Sequence, residues 1–123
     1  MKQPENFFQL NDLTQGIQRE LAPGLNTRIF VGDQAMLSVV RMEPGAEGSI
    51  HAHDEEQWGI ILEGDGVRIQ DGAEVPVKVG DFWRTPGGVT HGFRAGPAGA
   101  LVIDIFSPPR KAYTKAGSGF SAG

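Results

Sequence analysis

The 123-residue sequence predicts an all-β single domain, a sandwich or small barrel of antiparallel strands. Three observations predict it. Short apolar segments recur along the chain, 18 glycines and eight prolines punctuate them, and no long amphipathic helical pattern follows residue 25. The last of these disfavours a parallel sheet with crossover helices. The length suits one hydrophobic core rather than two.

The chain divides near residues 24 and 110. Residues 1–24 read as an N-terminal segment, irregular or helical over "NFFQLNDLTQGIQREL", closed by Pro23-Gly24. Residues 25–110 carry the strand-like pieces "NTRIFVG", "AMLSVVRM", "SIHAH", "QWGIILEG", "GVRIQ", "EVPVKV", "DFWRTP", "THGFRA" and "ALVIDIF". Turn signals separate them at Pro44-Gly45, Gly64-Asp65-Gly66, Asp71-Gly72, Gly80-Asp81, Pro86-Gly87-Gly88 and Gly96-Pro97. The tail 111–123, "KAYTKAGSGFSAG", has no periodic apolar pattern and is expected to be loose.

Composition excludes several classes of function. A net charge of −4 leaves no basic patch, so no nucleic-acid partner is expected. Apolar runs such as "LVI" and "IIL" are too short to cross a bilayer, and no membrane partner is expected. The opening residues form no basic, apolar-cored leader, and the absence of cysteine rules out disulfides and thiolate sites. A cytoplasmic setting is the expectation that follows.

Chemistry concentrates in "GAEGSIHAHDEEQWG", residues 45–59, which holds two of the three histidines. On a strand, His51 and His53 would project from one face. The third, His91, follows "TPGGVT". Neutral imidazole is a favoured ligand for divalent transition metals, although an HxH pair alone is often surface or satisfied core chemistry.

The spacing sharpens this. "GAEGSIHAHDEEQWGIILEG" reads G-x5-H-x-H-x3-Q-x6-G, and "GDFWRTPGGVTHGFRA" reads G-x5-P-x-G-x2-H. The pair, separated by Asp65–Val79, resembles the two motifs of the cupin superfamily. The resemblance implies a six- to eight-stranded β-barrel or jelly roll with a metal inside its mouth. It implies one divalent transition metal ion (Ni, Zn, Fe, Mn or Co) on His51, His53, Gln57 and His91. Two departures from the pattern stand out: Gln57 replaces the usual glutamate, and Ala95 replaces the usual terminal asparagine.

Asp54, Glu55 and Glu56 lie nearer His53 than the motif position and read as a solvated acidic loop. Gln57 is neutral, so its amide oxygen would leave the ion's charge uncancelled and favour Lewis-acid chemistry over oxygenation. In the alternative, Gln57 is a hydrogen-bonding wall residue and three histidines hold the metal.

In "ALVIDIFSPPRKAY", Val102, Asp104 and Phe106 share one face of a strand. An acid on such a strand must be paired or face a wet cavity. Ser107-Pro108-Pro109 then ends the strand and places Arg110, whose planar fork suits a carboxylate. The plainer alternative pairs Asp104 with Arg28, Arg84 or Arg94 and leaves Arg110 on the surface.

HxHx3Q, "PGGVTH" and "DIFSPPR" together resemble the KdgF-type cupins of pectin and alginate breakdown. That resemblance implies an enzyme converting 4,5-unsaturated monouronates to linear keto acids. Asp104 would then be the catalytic acid/base, Arg110 a catalytic and substrate-binding clamp, and Phe106 a substrate-binding wall. It further implies a homodimer and a small anionic sugar substrate. A different cupin enzyme (a dioxygenase or lyase) and a non-catalytic ligand-binding or sensing cupin are the competing readings.

Overall fold

The computed structural model describes residues 4–114 and 116–119. Its strands are β1 (Ile17–Ala22), β2 (Leu25–Val31), β3 (Met36–Met42), β4 (Glu56–Gln70), β5 (Ala73–Lys78), β6 (Phe82–Thr85), β7 (His91–Ser107) and β8 (Gly117–Ser118). They form one sheet in the order β5-β4-β7-β3-β2-β1-β8, with β6 pairing β4 from the side. No helix among the described residues is long and apolar enough to cross a membrane.

The fold is all-β, as expected, but two predicted turns are absent. Gly64-Asp65-Gly66 lies inside the single 15-residue strand β4, and Gly96-Pro97 lies inside the 17-residue β7. The two long strands pair along their whole length, with register shifts between Ile61 and Glu63 and between Gly64 and Gly66. Gly64 adopts φ +75° there, and a Cβ on it would overlap the Gly99 carbonyl. The glycines therefore make bulges that bend a continuous strand pair, where the sequence alone suggests hairpin turns. Because it bends, β4 serves two neighbourhoods. Gln57–Ile60 pair with β6, and Asp65–Gln70 pair with β5.

Inside the curve lies an apolar core that includes Leu25, Ile29, Met36, Val40, Ile61, Val102 and Phe106. Alternation on β2 and β3 places Leu25, Ile29, Met36 and Val40 inward.

The chain ends keep only part of what was expected. The N-terminal segment takes the irregular rather than the helical alternative over residues 4–16. Its first part is a run of turns, held down where Arg28 donates to the carbonyls of Leu10 and Asp12, and Ile17–Ala22 is already strand β1. Residues 111–114 and 116–119 of the supposedly loose tail fold back instead. Lys111–Tyr113 make a single 3-10 turn, Tyr113 is buried, and β8 pairs parallel to β1. Tyr113, with Ala112 beside it, packs this stretch on the core, and so short an apolar element carries no period in the sequence. Residues 115 and 120–123 of the tail lie outside the described residues.

Candidate metal centre and cavity

His91 opens β7, and its backbone exchanges two hydrogen bonds with His51, of 3.0 and 2.8 Å. This antiparallel bridge sets the two imidazoles side by side, with ring centroids 4.5 Å apart. His53 is brought in by the Pro86–Gly88 turn. The Gly88 N–H donates to the His53 carbonyl at 2.8 Å, and Gly87 lies so close to the Asp54 carbonyl that a Cβ would collide with it. The His53 and His91 rings are 4.8 Å apart by centroid. One ring nitrogen from each histidine lies within 4.8 Å of the others.

The convergence expected of His51 and His53 is present, though not for the expected reason. Residues 49–55 are not a strand; His51 joins only the single bridge to His91. Close packing of the Pro-Gly-Gly turn does the aligning that a regular pleat was expected to do.

Each imidazole is oriented by a backbone carbonyl. His51 Nδ1 bonds to Ser49 O at 2.8 Å, His53 Nδ1 to Glu55 O at 3.0 Å, and His91 Nδ1 to Val89 O at 2.9 Å. A carbonyl oxygen only accepts, so Nδ1 carries the proton in all three and Nε2 carries the lone pair. Burial lowers all three pKa values, that of His91 to about 3, so the rings are neutral near pH 7. The Arg110 charge adds to the effect on His51 and His53, and the Arg68 charge to that on His91.

The arrangement fits a divalent cation on two counts. His91 Nε2 is shielded from solvent and has no hydrogen-bond partner among the described residues. Gln57 Oε1 lies 3.0 Å from His53 Nε2, and the Gln57 amide also hydrogen-bonds Asp104. Donating to a carboxylate uses the NH2 edge, so the amide oxygen faces His53. Two lone pairs that close repel unless a cation lies between them. His51, His53, Gln57 and His91 are thus the residues that could hold an ion.

The acidic run is only partly a solvated loop. Asp54 is exposed, and Glu56 pairs with Arg84 at 2.7 Å on the outer surface. Glu55, however, orients His53 through its carbonyl and places a carboxylate oxygen 3.4 Å from the same nitrogen.

Asp104 faces inward beside this cluster. Its Oδ1 is shielded and has no hydrogen-bond partner among the described residues, and burial pushes its pKa up to about 6. None of the three arginines weighed as its partner reaches it. Arg28 holds the N-terminal segment, Arg84 pairs with Glu56, and Arg94 pairs with Glu74 at 2.9 Å. The nearby cation is Arg68, a residue that motif spacing does not single out. Strand parity hides it: Gln57 and Arg68 would face opposite sides of a regular β4, but the bulges at 62–65 turn both inward.

Arg110 is buried rather than superficial, with its guanidinium 4.4 Å from the Tyr113 ring centroid. Phe106 stands edge-on to His53 and to Tyr113, at 5.6 Å in each case. The resulting cavity has His51, Gln57, Arg68, His91, Asp104 and Phe106 among its lining residues.

This geometry has relatives. A family model described as "Cupin domain" matches residues 38–106, which include His51, His53, Gln57, His91 and Asp104. The chain is 30% identical to "Pectin degradation protein KdgF" of Dickeya dadantii (strain 3937) over 93 residues, 74% of this chain and 84% of the relative. Among solved structures, an RmlC-like cupin from Shewanella frigidimarina NCIMB 400 superposes with a TM-score of 0.78 at 30% identity, covering 93% of this chain and 100% of that one. KdgF from Halomonas sp. superposes with a TM-score of 0.71 at 29% identity, covering 76% and 87%. With its three-histidine cluster at the mouth of a jelly-roll sheet and more than half its length matched, the chain belongs to the cupin family.

Proposed function

We propose that the chain is a metal-dependent enzyme that opens 4,5-unsaturated monouronates, released by pectin or alginate lyases, to linear 5-keto-4-deoxyuronate. The observation that carries this reading is the shielded Asp104 carboxyl, which lines one cavity with His51, Gln57 and His91 of the donor group that His53 completes. Likeness to a pectin degradation protein supplies the sugar class.

His51, His53, Gln57 and His91 would hold the ion, which when bound supplies Lewis acidity toward a sugar oxygen. Arg110 clamps the substrate carboxylate, and its charge is already felt at His51 and His53. Phe106 walls the cavity and holds the ring flat against the cluster. Ring opening removes the proton from the anomeric hydroxyl, breaks the bond between that carbon and the ring oxygen, and adds a proton at carbon 4. Asp104, with a pKa of about 6, can take up and return that proton near neutral pH. The reaction is an isomerisation and needs no oxidant.

The same reading places the protein in the cytoplasm as a homodimer, without nucleic-acid or membrane partners. The exposed apolar side chains of Phe7, Phe8, Leu37 and Ile105 support a subunit contact.

The test is to mix metal-loaded protein with lyase-generated unsaturated monouronates and follow the ultraviolet absorbance of the conjugated alkene. The absorbance should decay with wild type and persist with Asp104→Asn. A metal-loaded wild type that leaves both pectin- and alginate-derived substrates unchanged would sink the proposal.

A further inference from the structure

Arg68 is 6% exposed, on the second half of β4. Its Nη2 donates to Thr85 Oγ1 at 2.7 Å and its Nε to Gln70 Oε1 at 3.3 Å, while Thr85 Oγ1 donates to the same Gln70 oxygen at 2.7 Å. The Arg68 guanidinium carbon lies over the Trp83 ring, 5.5 Å from its centroid. Two edges of the fork are therefore tied to neutral acceptors. No ion pair to Arg68 forms among the described residues, although the field of Asp104 reaches it.

A guanidinium shut in a cavity without a contacting anion is costly, and the cost is offset when a ligand brings one. A second buried polar group nearby also lacks a partner. Ser38 on β3 stands opposite Asp104 in the β3–β7 register and is 1% exposed, and its Oγ has no hydrogen-bond partner among the described residues. Ser38, Arg68 and Asp104 line the same cavity.

We propose that Arg68, with Ser38 beside it, forms a carboxylate-binding subsite on the inner wall of the cavity, in addition to Arg110. Arg68 takes an anionic oxygen through the part of its fork that Thr85 and Gln70 leave open. Ser38 donates to the same group or to a neighbouring hydroxyl. The inference rests on the proposed function only for the identity of the sugar; carboxylate binding is testable without it.

The experiment is titration calorimetry on the metal-loaded full chain with three probes: D-galacturonate, malonate and neutral D-galactose. Trp83 emission, read in a Trp58→Phe background, reports whether the anion arrives beside Arg68. Both acids should bind and shift that emission, and D-galactose should not. Arg68→Met should weaken both acids tenfold or more, Arg68→Lys less, and Ser38→Ala several-fold. Malonate binding that depends on Arg68 without any galacturonate binding would uphold the subsite and count against the uronate reading. Three results would overturn the subsite: acids that bind Arg68→Met as tightly as wild type, no binding of either acid to wild type, or a silent Trp83. If Arg68→Met fails to fold, Ser38→Ala with unchanged affinity for both acids overturns it equally.

Discussion

Replacing Asp104 by asparagine in the metal-free protein should raise its stability at pH 8, even though it should abolish turnover. Burial lifts the folded-state pKa from 3.8 to about 6, against the partial relief given by Arg68 and Gln57. A carboxyl whose folded pKa lies above its unfolded value favours folding fully only below about pH 4, and that contribution is lost as pH rises through about 6. The difference of about two units corresponds to roughly 3 kcal/mol carried as a penalty at pH 8. Asparagine has the same shape and no charge, so the variant escapes the penalty. Thermal melts with chelator present should place it about 10 °C above wild type at pH 8. The two curves should converge toward pH 4, where wild-type Asp104 is protonated in the folded state and begins to be so in the unfolded one. A constant offset across that range, or a variant less stable than wild type at pH 8, would refute the picture of a desolvated acid held in place for chemistry.

Other perturbations probe the remaining parts of the account. Adding a divalent ion at about a hundred times its Kd should stabilise wild type by about 2.7 kcal/mol, and the gain should disappear in His91→Ala melts. Gly64→Ala should cost roughly 2 kcal/mol or more in urea denaturation, because it forces a Cβ into a φ of +75° against the Gly99 carbonyl; a neutral result would contradict the bulge. Tyr113→Ala should cost roughly 3 kcal/mol by the same measurement and loosen Arg110, whereas an unchanged midpoint would mean that the tail does not contribute to the core. Glu56→Gln should change stability by less than about 0.5 kcal/mol, since its pair with Arg84 is largely exposed.

How far the sequence discloses the molecule depends on which interactions are local. Motif spacing, through its resemblance to the cupin pattern, picks out His51, His53, Gln57 and His91, and the fold brings these four side chains together. Period-two alternation places Asp104 and Phe106 inward correctly, since β7 is regular over its last residues. Arg68 escapes such a reading because a bulge reverses parity without leaving a mark beyond its glycines, and those read equally well as turns. Tyr113 escapes it because one buried aromatic in a polar stretch has no period. Glu55 reads as solvent-facing because its role runs through a backbone carbonyl, which every residue type carries.

We propose that three imidazole nitrogens and the Gln57 amide oxygen make one site for a divalent ion. Elemental analysis of the purified chain, after incubation with Ni, Zn, Fe, Mn and Co and exhaustive dialysis, tests it most directly. Close to one ion per chain is expected in wild type, with a large loss in Gln57→Leu and none retained in His91→Ala. A wild-type chain that retains no ion, or a His91→Ala chain that retains as much as wild type, would contradict it.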